Sequence, residues 1–231
     1  MPLLIYNEDM KTKGKYLVFD IECCNGHNIC SFGYAIISEK LRVLAKKDIL
    51  INPENKFILS PKGKRPKMEL AYPEELFFKQ DNFPCFYNEI KRLLSEEGYI
   101  LLGHSIQSDF HFLKYACQRY NLPYFDMEGY DMQKIFQREY NTSHVESLEK
   151  IIEHLEIDDS KLTFHRSCDD ALATFYVARG IAQDRDIDLP TLLERHPDCL
   201  VTTKALFDKK EKSQQKAKTN SNILKKVQKN S

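Results

Sequence analysis

The chain has 231 residues, 42% of them apolar and 11% aromatic, with 34 basic and 34 acidic side chains. That length suits one ordinary domain with appendages or two small ones, and the apolar fraction is enough for a sizeable core. Zero net charge hides an asymmetry, because residues 204–231 hold nine lysines against Asp208 and Glu211 and so leave an acidic body. A basic tail of this kind fits a polyanionic partner, and it fits a solvated, disordered C-terminus as well. Seven cysteines, an odd number without framework spacing, exclude a disulfide-stapled fold and point to a reducing, cytoplasmic setting. The opening Met1–Asp9 is too short an apolar run for a secretory leader, and no stretch approaches the roughly 18 apolar residues of a membrane span.

Tyr16–Ile21 is a β-branched and aromatic run of the buried-strand type, and residues 29–37 and 43–51 are two more. The short connections predict an antiparallel meander. Asn52-Pro53 opens a long irregular segment that contains the basic, turn-rich run Pro61–Lys67. After Pro84, Phe86, Ile90, Leu93 and Leu94 share a helical face, with a stop at Glu96-Glu97-Gly98. Tyr99–Gly103 reads as a fourth strand covered on both faces. A helix follows from about Asp109 to Tyr120, and Leu122–Asp126 leads into another strand and helix. Helical spacing returns over Ser147–Leu155 and Asp170–Ile181, after which only one short helix is expected within Pro190–Leu206. Three strands followed by alternating helix and strand predict an α/β fold with a mixed sheet and helices on both faces.

Asp20 and Glu22 stand one residue apart at the end of the first strand, so both side chains point to one face. Two carboxylates about 4 Å apart repel by roughly 4 kcal/mol at an effective dielectric near 20, which calls for a cation unless both acids are simply solvated. Asp109 falls in the first turn of one helix and Asp170 in the first turn of another, with His165 on the loop before it. Acids at strand ends and helix starts of a mixed sheet can converge on one edge. A soft-ligand alternative is Cys24-x-x-His27-x-x-Cys30, which has zinc-site spacing. His154 with Asp159 repeats the His165/Asp170 spacing, but His154 lies inside an apolar helical pattern and reads as structural. Asp169 competes with Asp170 as the last acid.

Three segments together resemble the DnaQ-like 3′→5′ exonucleases of the DEDDh type. They are Phe19-Asp20-Ile21-Glu22, Gly103-His104-Ser105 with Asp109, and His165 with Asp170-Ala171. Their order, separation and expected secondary structure agree with the family over residues 14–182. The resemblance implies a ribonuclease H-like fold, with a mixed five-stranded sheet of three antiparallel and then parallel strands flanked by helices. It divides the chain into an exonuclease domain over 1–185, an extension over 186–206 and a basic tail over 207–231.

It also implies two Mg²⁺ or Mn²⁺ ions, hard cations that suit carboxylate oxygens. Asp20 would bridge them, Glu22 and Asp170 would help hold the ion that activates water, and Asp109 would support the second. His165 would be the general base, and nucleoside 5′-monophosphates would be released from a free 3′ end. Spacing within the family selects Asp170 over Asp169. Ile21, Cys23, Cys24, His104 and Ser105 would surround the terminal nucleotide, with His104 chiefly architectural. Cys23-Cys24 stands where many relatives have Thr-Thr, Ser105 replaces an Asn, and Ser108 replaces a frequent Phe. The resemblance favours DNA slightly over RNA and leaves a DNA polymerase partner and dimerisation open. A non-catalytic nucleic-acid-binding module on the same fold is the alternative class, with the basic segments on phosphates and Phe110 or Tyr115 against bases.

Overall fold

In the computed structural model, residues 14–58 and 70–208 are described. The basic run Pro61–Lys67 and the lysine-rich tail from residue 209 onward lie outside them. The chain begins with three strands, β1 (Tyr16–Cys23), β2 (Ile29–Ile37) and β3 (Val43–Leu50), each pairing antiparallel with the next. Then come α1 (Glu74–Phe78), α2 (Phe83–Lys91) with a π-helical turn at Arg92–Glu96, and β4 (Ile100–Gly103). Alternation follows with α3 (Ile106–Arg119), β5 (Glu128–Asp131), α4 (Met132–Tyr140), α5 (Leu148–His154), α6 (Ser167–Asp184) and α7 (Leu189–Arg195). A 3₁₀ turn at Pro197–Cys199 leads into β6 (Leu200–Thr202).

The sheet order is β3-β2-β1-β4-β5-β6, with β1, β4 and β5 parallel and β6 antiparallel to β5. The sequence predicts five strands and the sheet has six. The extra strand is three residues long, too short for a periodic signal, and exists through its pairing with β5. The segment 52–83 also contains a helix, α1, that its composition does not announce.

Alternation along β1 divides its side chains between two cores. Leu17, Phe19, Ile21 and Cys23 enter the core formed with α2 and α3, whereas Tyr16 and Val18 enter the core beneath α4, α5, α6 and α7. Residues after 185 contribute to both, with Leu189, Leu192, Leu193 and Cys199 on the second side and Val201 and Phe207 on the first.

Asp20 and Glu22 continue the Tyr16–Val18 row and therefore rise from the face that α6 covers. The first turn of α6 lies directly on β2 at Gly33, where a Cβ would stand 2.0 Å from the Cys168 nitrogen and 2.1 Å from the Ser167 carbonyl carbon. Only glycine permits that approach. Gly33 sits opposite Asp20 on one side and Asp48 on the other, so the helix start is seated on the acid-bearing row. A buried hydrogen bond from Ser167 Oγ to Ser31 Oγ, 2.7 Å, fixes it there.

Candidate active site

β1 delivers Asp20 and Glu22, and the ladder to β2 slips just after Glu22, ending the regular strand. β4 runs parallel to β1 and turns through Ser105 into α3; Ser105 adopts a left-handed conformation (φ 57°). The Asp131 carboxylate, buried at the end of β5, accepts the Ser105 amide at 3.1 Å and holds that turn. α3 therefore begins with Asp109 directed at the end of β1. Asp109 is only 4% exposed, and its carboxylate accepts a backbone hydrogen bond from Ile21. From the other face, the loop before α6 brings in His165, and the helix itself brings in Asp170.

The ligand atoms of Glu22, His165 and Asp170 lie within 4.8 Å of one another, with His165 Nδ1 3.5 Å from Glu22 Oε1. The fields of the neighbouring acids are mutual. Burial raises Asp20 well above the ordinary carboxylate range, and Asp109, Glu22 and Asp170 raise it further. Burial and Glu22 do the same to Asp109 against the opposing Ile21 amide. Asp170 is pushed up to about 7, first by burial and then by Glu22, while His165 opposes the shift. His165 is itself raised, chiefly by its hydrogen bond to Glu22, because a carboxylate favours the imidazolium. Four carboxylates packed with too little positive charge form a donor set suited to a hard divalent cation. The residues fit a bound divalent cation, which the family resemblance implied.

All five residues singled out as catalytic thus meet at one end of the sheet. Asp169 points elsewhere, ion-paired with Lys46 and accepting the Thr163 amide at 3.2 Å. His154 packs edge-on against Phe136 and Tyr140, in keeping with a structural part. Among the residues expected around the nucleotide, Ile21, Cys23 and Cys24 are buried and only Ser105 and His104 retain partial exposure. Burial lowers the His104 imidazole to about 4. Gln133 Nε2 donates to its Nε2 at 3.2 Å and to the Glu146 carbonyl at 2.8 Å, tying β4 to α4 and the turn before α5.

The soft-ligand alternative does not assemble. Cys24 and Cys30 enter a small core with Phe77, while the His27 ring lies 5.2 Å from the Tyr115 ring, and these groups do not gather as a ligand set among the described residues. Phe110 is fully buried and stacks on Phe19 at 6.4 Å, so it packs the core and cannot meet a base, whereas Tyr115 is 41% exposed. A second group of ligand types, His196, Asp198 and Cys199, has its charges already answered. His196 Nε2 sits 2.6 Å from Glu139, and Arg138 lies 3.2 Å from Asp198.

Sequence reasoning missed Asp48, Tyr72, Asp131 and Arg166. Asp131 carried a signal, an acid between a strand and a helix, of the same kind that located Asp109. The others carried none, since Asp48 and Arg166 are 118 positions apart.

Comparison with known proteins gives the family and the fold. The exonuclease model of the RNase T family matches residues 17–178, and the chain belongs to that family. The order of Asp20, Glu22, Asp109, His165 and Asp170 along the chain is the one that resembles the DEDDh type. Solved structures similar to it include the nuclease domain of 3′hExo, a DEDDh family member bound to rAMP, at 20% identity and TM-score 0.62 over 74% of this chain and 92% of that one. A 3′-exonuclease described in 3′-end-specific recognition of a histone mRNA stem-loop gives 19% and 0.60, over 74% of this chain and 64% of that one. E. coli exonuclease I with a dA16 oligonucleotide gives 12% and 0.55, over 79% and 42%. The chain thus spans less than two thirds of the last two, and at these identities the likeness is one of fold. No curated protein matches the chain.

Proposed function

We propose that the protein is a divalent-metal-dependent 3′→5′ exonuclease that releases nucleoside 5′-monophosphates from the 3′ end of a nucleic acid strand. The observation that carries this reading is the convergence of Glu22, His165 and Asp170 within 4.8 Å, beside the strongly raised Asp20 and Asp109. Asp20, Glu22, Asp109 and Asp170 would hold Mg²⁺ or Mn²⁺. When bound, such cations supply Lewis-acid stabilisation of the charge that develops on the phosphoryl oxygens.

The chain's own groups account for the proton transfers. With Nδ1 turned toward Glu22, His165 Nε2 is the ring atom left to take the proton of the attacking water. As that O–H bond breaks, the oxygen bonds to phosphorus, and the bond from phosphorus to the 3′ oxygen of the penultimate nucleotide breaks with its electron pair going to that oxygen. Glu22 stabilises the resulting imidazolium, which can then return the proton to solvent or to the leaving oxygen.

The polymer has two readings. DNA is the first, from the sequence. RNA is supported by 3′hExo, which is described with rAMP, and by the 3′-exonuclease described with a histone mRNA stem-loop. Ile21, Cys23, Cys24, His104 and Ser105 are assigned to the walls around the terminal nucleotide, the first three acting through backbone or by shaping the wall because their side chains are buried. The lysine-rich tail would collect the polyanion, and the seven free thiols support a reducing, cytoplasmic setting.

The test uses 5′-labelled single-stranded DNA and RNA of one sequence, with Mg²⁺, with Mn²⁺ and with chelator. A ladder of 3′-shortened products that needs metal and disappears in Asp20→Ala is expected. Shortening that survives the chelator or the substitution would overturn the reading. Binding without cleavage in every arm would favour the non-catalytic module instead.

A further inference from the structure

His165 occupies a left-handed backbone conformation, φ 61°. A non-glycine residue stays there only where its surroundings over-determine it. The groups that do so come from other parts of the fold. The Ala71 amide donates to the His165 carbonyl at 3.2 Å, joining the loop ahead of α1 to the histidine backbone. Arg166 Nε, one residue on, donates to Asp48 Oδ2 at 3.1 Å and to the Tyr72 hydroxyl at 2.8 Å, with its guanidinium 5.4 Å from the centre of the Tyr72 ring. The Tyr72 hydroxyl donates in turn to Asp48 Oδ2 at 2.7 Å. Asp48 spends its other oxygen, Oδ1, on the Cys168 amide at 2.7 Å, in the first turn of α6.

These contacts close a loop of bonds around the histidine. Asp48 lies on β3 in the row that runs through Gly33 to Asp20, so it references the acid-bearing end of the sheet. Its side chain is almost wholly buried while Arg166 is partly exposed, which places the charged partner over it as a cover. Burial and Asp48 push the Tyr72 hydroxyl up to about 12, keeping it a donor at every working pH. If Asp48 served only to anchor the start of α6, the Cys168 bond would suffice. The Arg166–Tyr72 contact instead joins the residue after His165 to the segment that already bonds the His165 carbonyl.

We infer that Asp48, Tyr72 and Arg166 form a clamp that sets the His165 imidazole against Glu22 and Asp170. They are positioning residues and touch no reacting atom. The inference rests on the part proposed above for His165. The Arg166 Nε–H shared between Asp48 and Tyr72, with the Tyr72 hydroxyl, holds an orientation, which lysine and phenylalanine at these places would not.

The test combines kinetics with a measurement that needs no turnover. Tyr72→Phe should lower kcat about tenfold and Arg166→Met about 100-fold, with KM within about twofold of the native value, the scale of loss expected when a reacting group is misplaced by an ångström or less. Placed in a His165→Ala background, each should cost nothing further. In the metal-free protein, both should move the Cε1–H resonance of His165 while leaving those of His27 and His154 in place.

An undiminished loss in the His165→Ala background, a rise in KM at constant kcat, or an unmoved His165 resonance would overturn the clamp. Should Arg166→Met fail to fold, Tyr72→Phe removes a single hydroxyl and decides the matter alone. The two proposals fail differently. A His165→Ala protein that cleaves as well as the native one defeats the part given to the histidine, and the resonance measurement on proteins that keep His165 still judges the clamp.

Discussion

His165 Nδ1 lies 3.5 Å from Glu22 Oε1, so an imidazole and a carboxylate from opposite ends of the matched domain share one edge of the site. That contact sets the protonation of the histidine. Glu22 favours the charged ring, and in the metal-free protein His165 should titrate above the ordinary histidine value near 6.5. Following the ring by NMR, Glu22→Gln should bring the midpoint down, and so should Mn²⁺-free Mg²⁺ added to the native protein, because a bound cation takes up the carboxylate's field. A midpoint that ignores both changes would separate the histidine from the acids.

The acids also set how stability depends on pH. Asp170 is raised to about 7 in the folded chain and is near 3.8 when unfolded. A group shifted in this direction stabilises the fold fully below its unfolded value, and that contribution is lost as pH rises through the folded one. Metal-free protein should therefore lose stability from this group between about pH 4 and pH 7. Mg²⁺ or Mn²⁺ should raise the melting temperature more at pH 7.5 than at pH 5. Asp170→Asn should stabilise the metal-free protein at pH 7.5 by on the order of 2 kcal/mol, while abolishing cleavage. Thermal melts with chelator and with metal check all three.

Gly33 makes a prediction about architecture. A methyl group there meets the backbone of Ser167 and Cys168, so Gly33→Ala must displace the start of α6. A cost of about 3 kcal/mol or more is expected, at the upper end of overpacking. Activity should fall by far more than stability alone explains, since the helix that must move also carries Asp170. Urea denaturation beside single-turnover cleavage would show the two effects separately.

The basic tail can be removed without touching the core only if the cut spares Phe207, which is buried against His111 and Tyr124 with Lys114 over its ring. Deleting residues 209–231 should leave the melting temperature unchanged. It should weaken binding of long oligonucleotides and flatten the slope of log affinity against log salt by about 0.7 per lost phosphate contact on a single strand. An unchanged slope would remove the tail from the interface.

Much of this arrangement was legible in the chain itself. The strands showed because β-branched and aromatic residues mass in short runs, although β3, expected to be buried, is exposed over Val43–Lys47 at the edge of the sheet. The acids showed because they punctuate strand ends and helix starts. Leu200–Thr202 did not show, since three residues have no period and become a strand only by lying beside β5. Asp48 and Arg166 carry no signal in the sequence, because what distinguishes them is a pairing created by the fold. Cys24 and His27 illustrate the converse, a suggestive spacing that the strand's alternation and the turn pull apart.

The position of β1 has one more consequence. It pairs with a strand on both sides over Tyr16–Val18 and with β2 alone from Phe19 to Glu22, where the Ile21 amide is instead accepted by the Asp109 carboxylate. Amide protons of the first stretch should exchange with solvent only when the whole domain opens, and those a few residues on should exchange sooner. Asp20 and Glu22 thus stand just past the slowest-exchanging stretch of backbone, where the second flank of the strand is met by a side chain of α3 rather than by another strand.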